Sequence, residues 1–264
     1  MKRRLKTLIL WLNGLLKRDA SPKCIFYHDV SKDHTSMGTP RELFWAHMDL
    51  LRVGDLVCFD DGFRGIWYER ETFKVRKISP KVFLAVGLVG QPNYLTWGEI
   101  LTLQKDYGFD FQCHTLSHQT LAGPYNEEVT EPLNGRNEAW FERELIESKR
   151  ELEVRLGKPI TELCFPVGYF SDETIERCKQ AGYQRVWASY PGNRSEGYVQ
   201  SRCLCQALSA FEVKCVLNGG MNPLAKRYFK MHKVDGRAYG NETTKHAKYS
   251  KGRDGDDIAS TGNN

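Results

Sequence analysis

None of the eight cysteines stands in a Cys-x-x-Cys pair, which argues against a cysteine-rich zinc site. The apolar stretch 7–16 that follows the basic start falls well short of the roughly 20 residues a spanning helix needs. Asn13 and Gly14 interrupt that stretch, and no small-x-small cleavage site follows it, so a cleavable secretion signal is not expected. No internal repeat is present, which excludes solenoid and propeller architectures. Nor is there a strong excess of one charge. The net charge of +5 over 264 residues concentrates in Lys2, Arg3, Arg4 and Lys6 and again in 226–251, while the middle of the chain is balanced. That distribution argues against a dedicated nucleic-acid surface and is compatible with an anionic membrane near one end.

What is present is ordinary globular material, 41% apolar and 27% charged. Leu5, Leu8, Ile9, Leu12, Leu15 and Leu16 share one helical face, so residues 1–20 form an amphipathic N-terminal helix. Such a helix either lies on a membrane surface through residues 1–18 or packs on the domain that follows. Cys24, Cys58, Cys113 and Cys164 sit in short apolar runs, where a thiol behaves as a small hydrophobe. Eight cysteines without a secretion signal favour a reducing compartment, hence a cytoplasmic protein, peripheral at the inner membrane face if the N-terminal helix binds lipid.

Between these ends, β-rich runs at 23–28, 55–59, 81–86, 109–114, 162–165, 185–188 and 202–206 alternate with helical patterns at 41–52, 63–77, 96–107, 137–156, 172–181 and 210–217. The helix at 137–156 is the clearest, with Glu142, Glu144 and Glu147 at helical spacings from Lys149 and Arg150, and Gly157 then Pro159 ending it. This alternation implies an α/β fold with a mostly parallel sheet, and about seven strands suggest an irregular (β/α) barrel. The domain is expected over 21–224. From 225 to 264 the chain is basic and then poor in large apolar residues, so it reads as a disordered tail.

In a barrel, functional groups gather at the C-terminal ends of strands. Here those ends carry His28, the pair Asp60-Asp61, His114, and Pro166. Asp60 and Asp61 follow an apolar strand and precede Gly62. Adjacent carboxylates in such a place call for a partner, and a divalent cation is one; a solvated Asp-Asp-Gly turn is the alternative. In His114-Thr115-Leu116-Ser117-His118 two imidazoles four residues apart can share a face and one metal, although no Glu follows His114 as in His-Glu-x-x-His hydrolases. Thr115 and Ser117 could orient the rings or cap the next segment. One Asp with two His makes a facial triad with open positions, suited first to Zn2+ and also to Co2+, Ni2+, Mn2+ or Fe2+. The second Asp is then free to act as a base.

Phe59-Asp60-Asp61-Gly62 followed by His114-Thr115-Leu116-Ser117-His118 resembles the first two motifs of the polysaccharide deacetylase (NodB-homology) family of carbohydrate esterases. Cys164-Phe165-Pro166-Val167-Gly168-Tyr169 resembles its third motif, and Gly182-Tyr183 the close of the helix after it. The likeness covers residues 22–217. It implies an irregular TIM-like barrel and a metal-dependent hydrolase that removes N-acetyl groups from an N-acetylated glycan or a lipid- or nucleotide-linked sugar, in bacterial capsule or exopolysaccharide biosynthesis. Residue by residue it implies Asp60 as catalytic base, Asp61, His114 and His118 as metal ligands, and the backbone near Val167, between Pro166 and Tyr169, as oxyanion and substrate contacts. The sequence departs from the family in two places. The arginine that many members carry two residues before the third-motif proline is here Cys164, and the final strand lacks the Leu-x-His that supplies a general acid. Phe26-Tyr27-His28-Asp29-Val30, however, resembles a motif of the circularly permuted exopolysaccharide deacetylases, in which His28 would be the acid, with Asp29 tuning it. Tyr169, Phe170, Trp187 and Tyr190 are candidates for stacking on sugar rings. The alternative function is a non-catalytic NodB-like carbohydrate-binding or scaffold domain; a base beside a metal favours the enzyme, because binding alone requires no base.

Overall fold

Strands that read as unbroken apolar runs are expected where both faces of a parallel sheet are covered, and that arrangement is what forms. The computed structural model describes residues 10, 12–14, 19–31, 37–122, 137–193 and 197–234. Its strands are β1 (Cys24–Tyr27), β2 (Asp29–Ser31), β3 (Gly38–Pro40), β4 (Leu56–Asp61), β5 (Lys81–Leu84), β6 (Asp110–Cys113), β7 (Glu162–Cys164), β8 (Arg185–Ala188), β9 (Val199–Ser201) and β10 (Cys203–Leu204). The main sheet has the order β10-β1-β4-β5-β6-β7-β8-β9, and all its pairings are parallel. β9 and β10 are consecutive stretches of one extended run. Its first half pairs with β8 and its second half with β1, so the run closes a seven-stranded barrel at Arg202. The final strand therefore begins at Val199 rather than at the expected residue 202.

Alternate side chains of each strand point to opposite faces. Outward residues such as Tyr27, Phe59, Val82, Phe111 and Val186 join one core with helical residues including Phe44, Trp45, Ile100 and Leu103. Cys24, Phe26, Cys58, Phe83, Cys164 and Trp187 form a second cluster inside the barrel. The lumen of a small barrel holds few large side chains. The three cysteines pack beside the three rings of this cluster, in agreement with their reading as small hydrophobes. Cys113 packs instead in the outer core. None of the eight cysteines, all of them among the described residues, forms a disulfide.

The helices that cover the barrel are α1 (Arg41–Met48), α2 (Gly65–Tyr68), α3 (Arg70–Val75), α4 (Trp97–Tyr107), α5 (Glu138–Phe141), α6 (Ser148–Leu156), α7 (Asp172–Gln180), α8 (Ala210–Leu217) and α9 (Ala225–His232). Thr96, Ser171 and Ser209 begin α4, α7 and α8 with reciprocal capping boxes, which explains how sharply those helices start. The helix expected over 63–77 divides at Glu69, whose buried carboxylate accepts from Arg41 and from the Trp45 indole. Between α5 and α6 the residues Glu142–Glu147 form a π-helical turn.

At the N-terminus, buried Leu10 and the Asn13 amide, which donates to the Gly220 carbonyl at 3.2 Å, rest against the turn after α8. The basic residues Lys2, Arg3, Arg4 and Lys6 lie outside the described residues. Beyond Leu224 the chain continues as α9, whose Phe229 packs on Phe170 and Tyr190; the rest of the expected tail, 235–264, lies outside the described residues. No helix among the described residues is long and apolar enough to cross a membrane.

A buried histidine and a half-buried aspartate set an acid response. Burial drives the His47 imidazole, whose Nδ1 meets the Tyr27 hydroxyl at 3.0 Å, from 6.5 down to about 4. Burial pushes the Asp29 carboxyl from 3.8 up to about 6. Below pH 6.5 the unfolded chain takes up a proton at His47 that the native fold refuses, so this group removes stability as pH falls from 6.5 to about 4. Asp29 acts in the opposite sense, because the native fold binds its proton first. The wild-type slope therefore mixes the two. The difference in unfolding free energy between wild type and His47→Gln, followed by urea titration, is expected to shrink by about 3 kcal/mol between pH 7 and pH 4.

Candidate active site

The end of β4 decides where the site forms. Asp61 and Gly62 both adopt left-handed backbone, at φ 68° and 89°. A Cβ on Gly62 would stand 2.6 Å from the Leu84 side chain, so only glycine fits there. This turn sends the two carboxylates apart. Asp60 stays in the lumen, while Asp61 faces the loop after β6. His28 follows β1 directly, and because Tyr27 pairs with Phe59 it stands level with Asp60.

Asp61 meets both imidazoles. Its Oδ1 lies 3.3 Å from His114 Nε2 and 3.0 Å from His118 Nε2. These three ligand atoms lie within 4.8 Å of one another. Tetrahedral ligands bonded at about 2.0–2.1 Å stand about 3.3 Å apart, so the spacing suits a small divalent cation. The hydrogen bonding agrees. His114 Nδ1 lies 2.8 Å from the Cys164 carbonyl, which can only accept, so Nδ1 carries the proton. In the neutral ring Nε2 then presents a lone pair to a carboxylate oxygen. Asp61 Oδ1 is buried and receives no donor in hydrogen-bonding geometry. Two electron-rich atoms face to face need a cation between them, and the residues therefore fit the metal.

Asp60, His114 and Cys164 also offer ligand atoms close together. They make a poor metal site, because burial keeps the Cys164 thiol protonated and a guanidinium already occupies the space. That guanidinium belongs to Arg202, the residue at which the barrel closes. Its Nη1 and Nη2 donate to Asp60 Oδ1 and Oδ2 at 2.6 and 2.9 Å, and Nη2 also donates to Cys164 Sγ. The carbon of the guanidinium lies 4.2 Å from the Phe26 ring centre and 5.2 Å from that of Phe83. Burial opposes ionisation of Asp60, but the adjacent Arg202 charge wins and holds its carboxyl below the usual range. The positive charge missing at Cys164 thus reaches Asp60 from the strand that closes the barrel. The signal was an arginine in the interior of the last extended run, where a buried guanidinium requires a carboxylate partner.

His28 Nδ1 lies 2.7 Å from Gln206 Oε1, a partner that sequence reasoning missed. Asp29 instead accepts from the backbone N–H groups of Val30 and Gly65, each at 2.9 Å, and so anchors the start of α2. Thr115 does cap the histidine loop, since its Oγ1 accepts from His118 N at 3.2 Å. In the turn after β7, Pro166 is buried and Tyr169 half-buried. Val167 is 45% exposed with φ 60°, a costly conformation for a β-branched residue. Phe170 and Trp187 are fully buried and cannot stack on a sugar. Tyr169 and Tyr190 keep partial exposure beside His232 and Phe229.

Residues 56–186 match the family model described as polysaccharide deacetylase. That span carries Asp60, Asp61, His114, His118 and the turn from Pro166 to Tyr169, and it leaves out His28 and Arg202. A putative polysaccharide deacetylase of Bacillus subtilis, YxkH, is 22% identical over 204 residues, 68% of each chain. Among solved structures, IcaB from Ammonifex degensii aligns with a TM-score of 0.67 at 19% identity, covering 76% of this chain and 98% of that one. The deacetylase domain of BpsB from Bordetella bronchiseptica aligns with a TM-score of 0.54 at 16% identity, covering 70% and 96%. These structural likenesses establish the fold.

Arg202→Met removes the hydrogen-bonded countercharge of the buried Asp60 carboxylate and is expected to cost about 3–5 kcal/mol of stability. Adding Asp60→Asn in the same chain should recover most of that loss. Chemical denaturation of the two single variants and the double variant gives the coupling; simple additivity would mean that the pair does not act as a unit.

Proposed function

Because this chain belongs to the polysaccharide deacetylase family, we propose that it is a metal-dependent hydrolase that removes N-acetyl groups from an N-acetylated glycan. The observation that carries the reading is the separation of two adjacent carboxylates, Asp61 toward His114 and His118 and Asp60 toward Arg202. The reaction breaks a carbon–nitrogen bond that is not a peptide bond.

A divalent cation held by Asp61, His114 and His118 would polarise the acetamide carbonyl and acidify a water; Zn2+ suits the donor set, and Co2+, Ni2+, Mn2+ and Fe2+ are accommodated by the same ligands. Asp60 takes the proton of the attacking water. Arg202 keeps Asp60 ionised and fixes the plane of its carboxylate through two parallel hydrogen bonds, which leaves the carboxylate little freedom to rotate away. His28 donates a proton to the departing amine, and Gln206 sets its ring orientation by accepting from Nδ1. The backbone at Val167 stands at the acetyl group as it becomes tetrahedral, and Pro166 and Tyr169 shape that wall of the site. The substrate is a surface polysaccharide or its lipid- or nucleotide-linked precursor, met at the inner membrane face with the N-terminal helix as a peripheral contact.

Acetate release from N-acetylated oligosaccharides, with metal content measured in parallel, tests the assignments. Asp60→Asn should keep its metal and lose about 10^2–10^4-fold in kcat, the usual contribution of a general base. His28→Ala should behave alike, whereas His114→Ala should lose metal and activity together. A wild-type protein that holds metal and binds oligosaccharide without releasing acetate would favour the binding-module reading and overturn this one.

A further inference from the structure

The loop that carries the two histidines is an unusual piece of backbone. Thr115 and His118 both lie in the left-handed region, at φ 68° and 62°. The loop is tied on one side by the chain after β5, where Val86 N donates to Thr115 O at 3.1 Å and Gly87 N to Leu116 O at 2.8 Å. A Cβ on Gly87 would come within 2.8 Å of that Leu116 oxygen, so this approach requires glycine. On the other side a single carboxylate oxygen, Glu144 Oε2, accepts from Leu116 N at 3.0 Å and from Ser117 N at 2.9 Å.

Glu144 is only 2% exposed. Helical periodicity placed it at helical spacing from Lys149 and Arg150; in the structure it is buried and turned toward the histidine loop instead. The cause is the π-helical turn Glu142–Glu147. Such a turn inserts a residue into helical spacing and swings side chains out of their regular phase, and it leaves carbonyls that need other donors. Here the Glu144 carbonyl accepts from Ser148 Oγ at 2.5 Å and the Leu145 carbonyl from the Tyr183 hydroxyl at 2.9 Å. Buried side chains thus hold the turn open, and its effect is to aim one carboxylate at the loop between the ligands.

We propose that Glu144 is a positioning residue of the metal centre: its buried carboxylate clamps the backbone of Leu116 and Ser117 and thereby sets the angle and separation of the His114 and His118 rings. The proposal rests on the assignment of Asp61, His114 and His118 as ligands. The carboxylate touches neither metal ligand side chain. It acts through the two amides between them, so its loss should loosen the ligands rather than remove one.

Zn2+ affinity measured by chelator competition and the visible absorption of the Co2+-loaded full-length protein test this apart from turnover. Glu144→Ala is expected to weaken Zn2+ binding by about 10–100-fold, the range usual for groups that orient ligands. It should also broaden or shift the Co2+ ligand-field bands at saturating Co2+. Glu144→Gln, which keeps an oxygen able to accept from both amides, should stay within about threefold of wild type. If Glu144→Ala does not fold, Glu144→Asp, which keeps the charge but is one methylene too short to reach both amides, should weaken binding about tenfold. Wild-type affinity and spectrum in the alanine or aspartate variant would overturn the proposal. So would a glutamine variant as weak as the alanine one, since charge rather than the clamp would then be at work. A wild-type protein that binds neither Zn2+ nor Co2+ would instead sink the metal-centre assignment itself.

Discussion

Two adjacent carboxylates at the end of one buried strand repel each other, and the architecture of the mouth follows from keeping both ionised. At about 5 Å and an effective dielectric near 20 the repulsion is of order 3 kcal/mol, before any desolvation cost. The left-handed turn at Asp61 and Gly62 points the two groups in different directions, and each then has its own partner set: a guanidinium inside the barrel for Asp60, and outside it two imidazoles that, with Asp61, leave a place for a cation. Neither partner set could serve both. On the proposed mechanism, this division lets one carboxylate ligate while its neighbour acts as a base.

The partner of Asp60 also ties catalysis to the closure of the fold. Arg202 stands where the last strand leaves β8 and joins β1, so its guanidinium reaches the lumen only when the barrel is complete. Small cysteines leave room for it between the Phe26 and Phe83 rings. Buried ion pairs seldom raise stability over a well-packed apolar core. On the proposed mechanism, this pair is retained because Asp60 must be ionised, not for a gain in folding energy.

What could be read from the sequence was what repeats locally or lies close along the chain. The strand–helix alternation, the placement of His28, Asp60, Asp61, His114 and Pro166 at strand ends, and the pairing of His114 with His118 all follow from short-range pattern. Arg202 and Gln206 escaped because their partners are 142 and 178 residues away, and nothing in the spacing points to them. Glu144 escaped for a different reason. Regular helical phase was the right rule for α6 but fails within the π-helical turn, so a carboxylate read only at helical spacing from Lys149 and Arg150 turns out to be buried against the histidine loop. Phe170 and Trp187 were misjudged because aromatic side chains near a strand end serve the core as readily as a ligand, and only the direction of the strand decides.

Strain is concentrated at the same mouth. Asp61, Thr115, His118 and Val167 are all non-glycine residues in left-handed backbone, and each such position costs about 1–3 kcal/mol. Isolated loops would relax out of these conformations. They persist because rigid strand ends hold one side of each loop and buried hydrogen bonds hold the other: Glu144 and Thr115 for the histidine loop, and the close packing of Gly168 on Ser189 for the turn that carries Val167. The candidate metal ligands and the backbone at Val167 are therefore held in preset positions. A site arranged in this way need not reorganise as charge develops, which is the condition under which fixed dipoles and charges lower a barrier most.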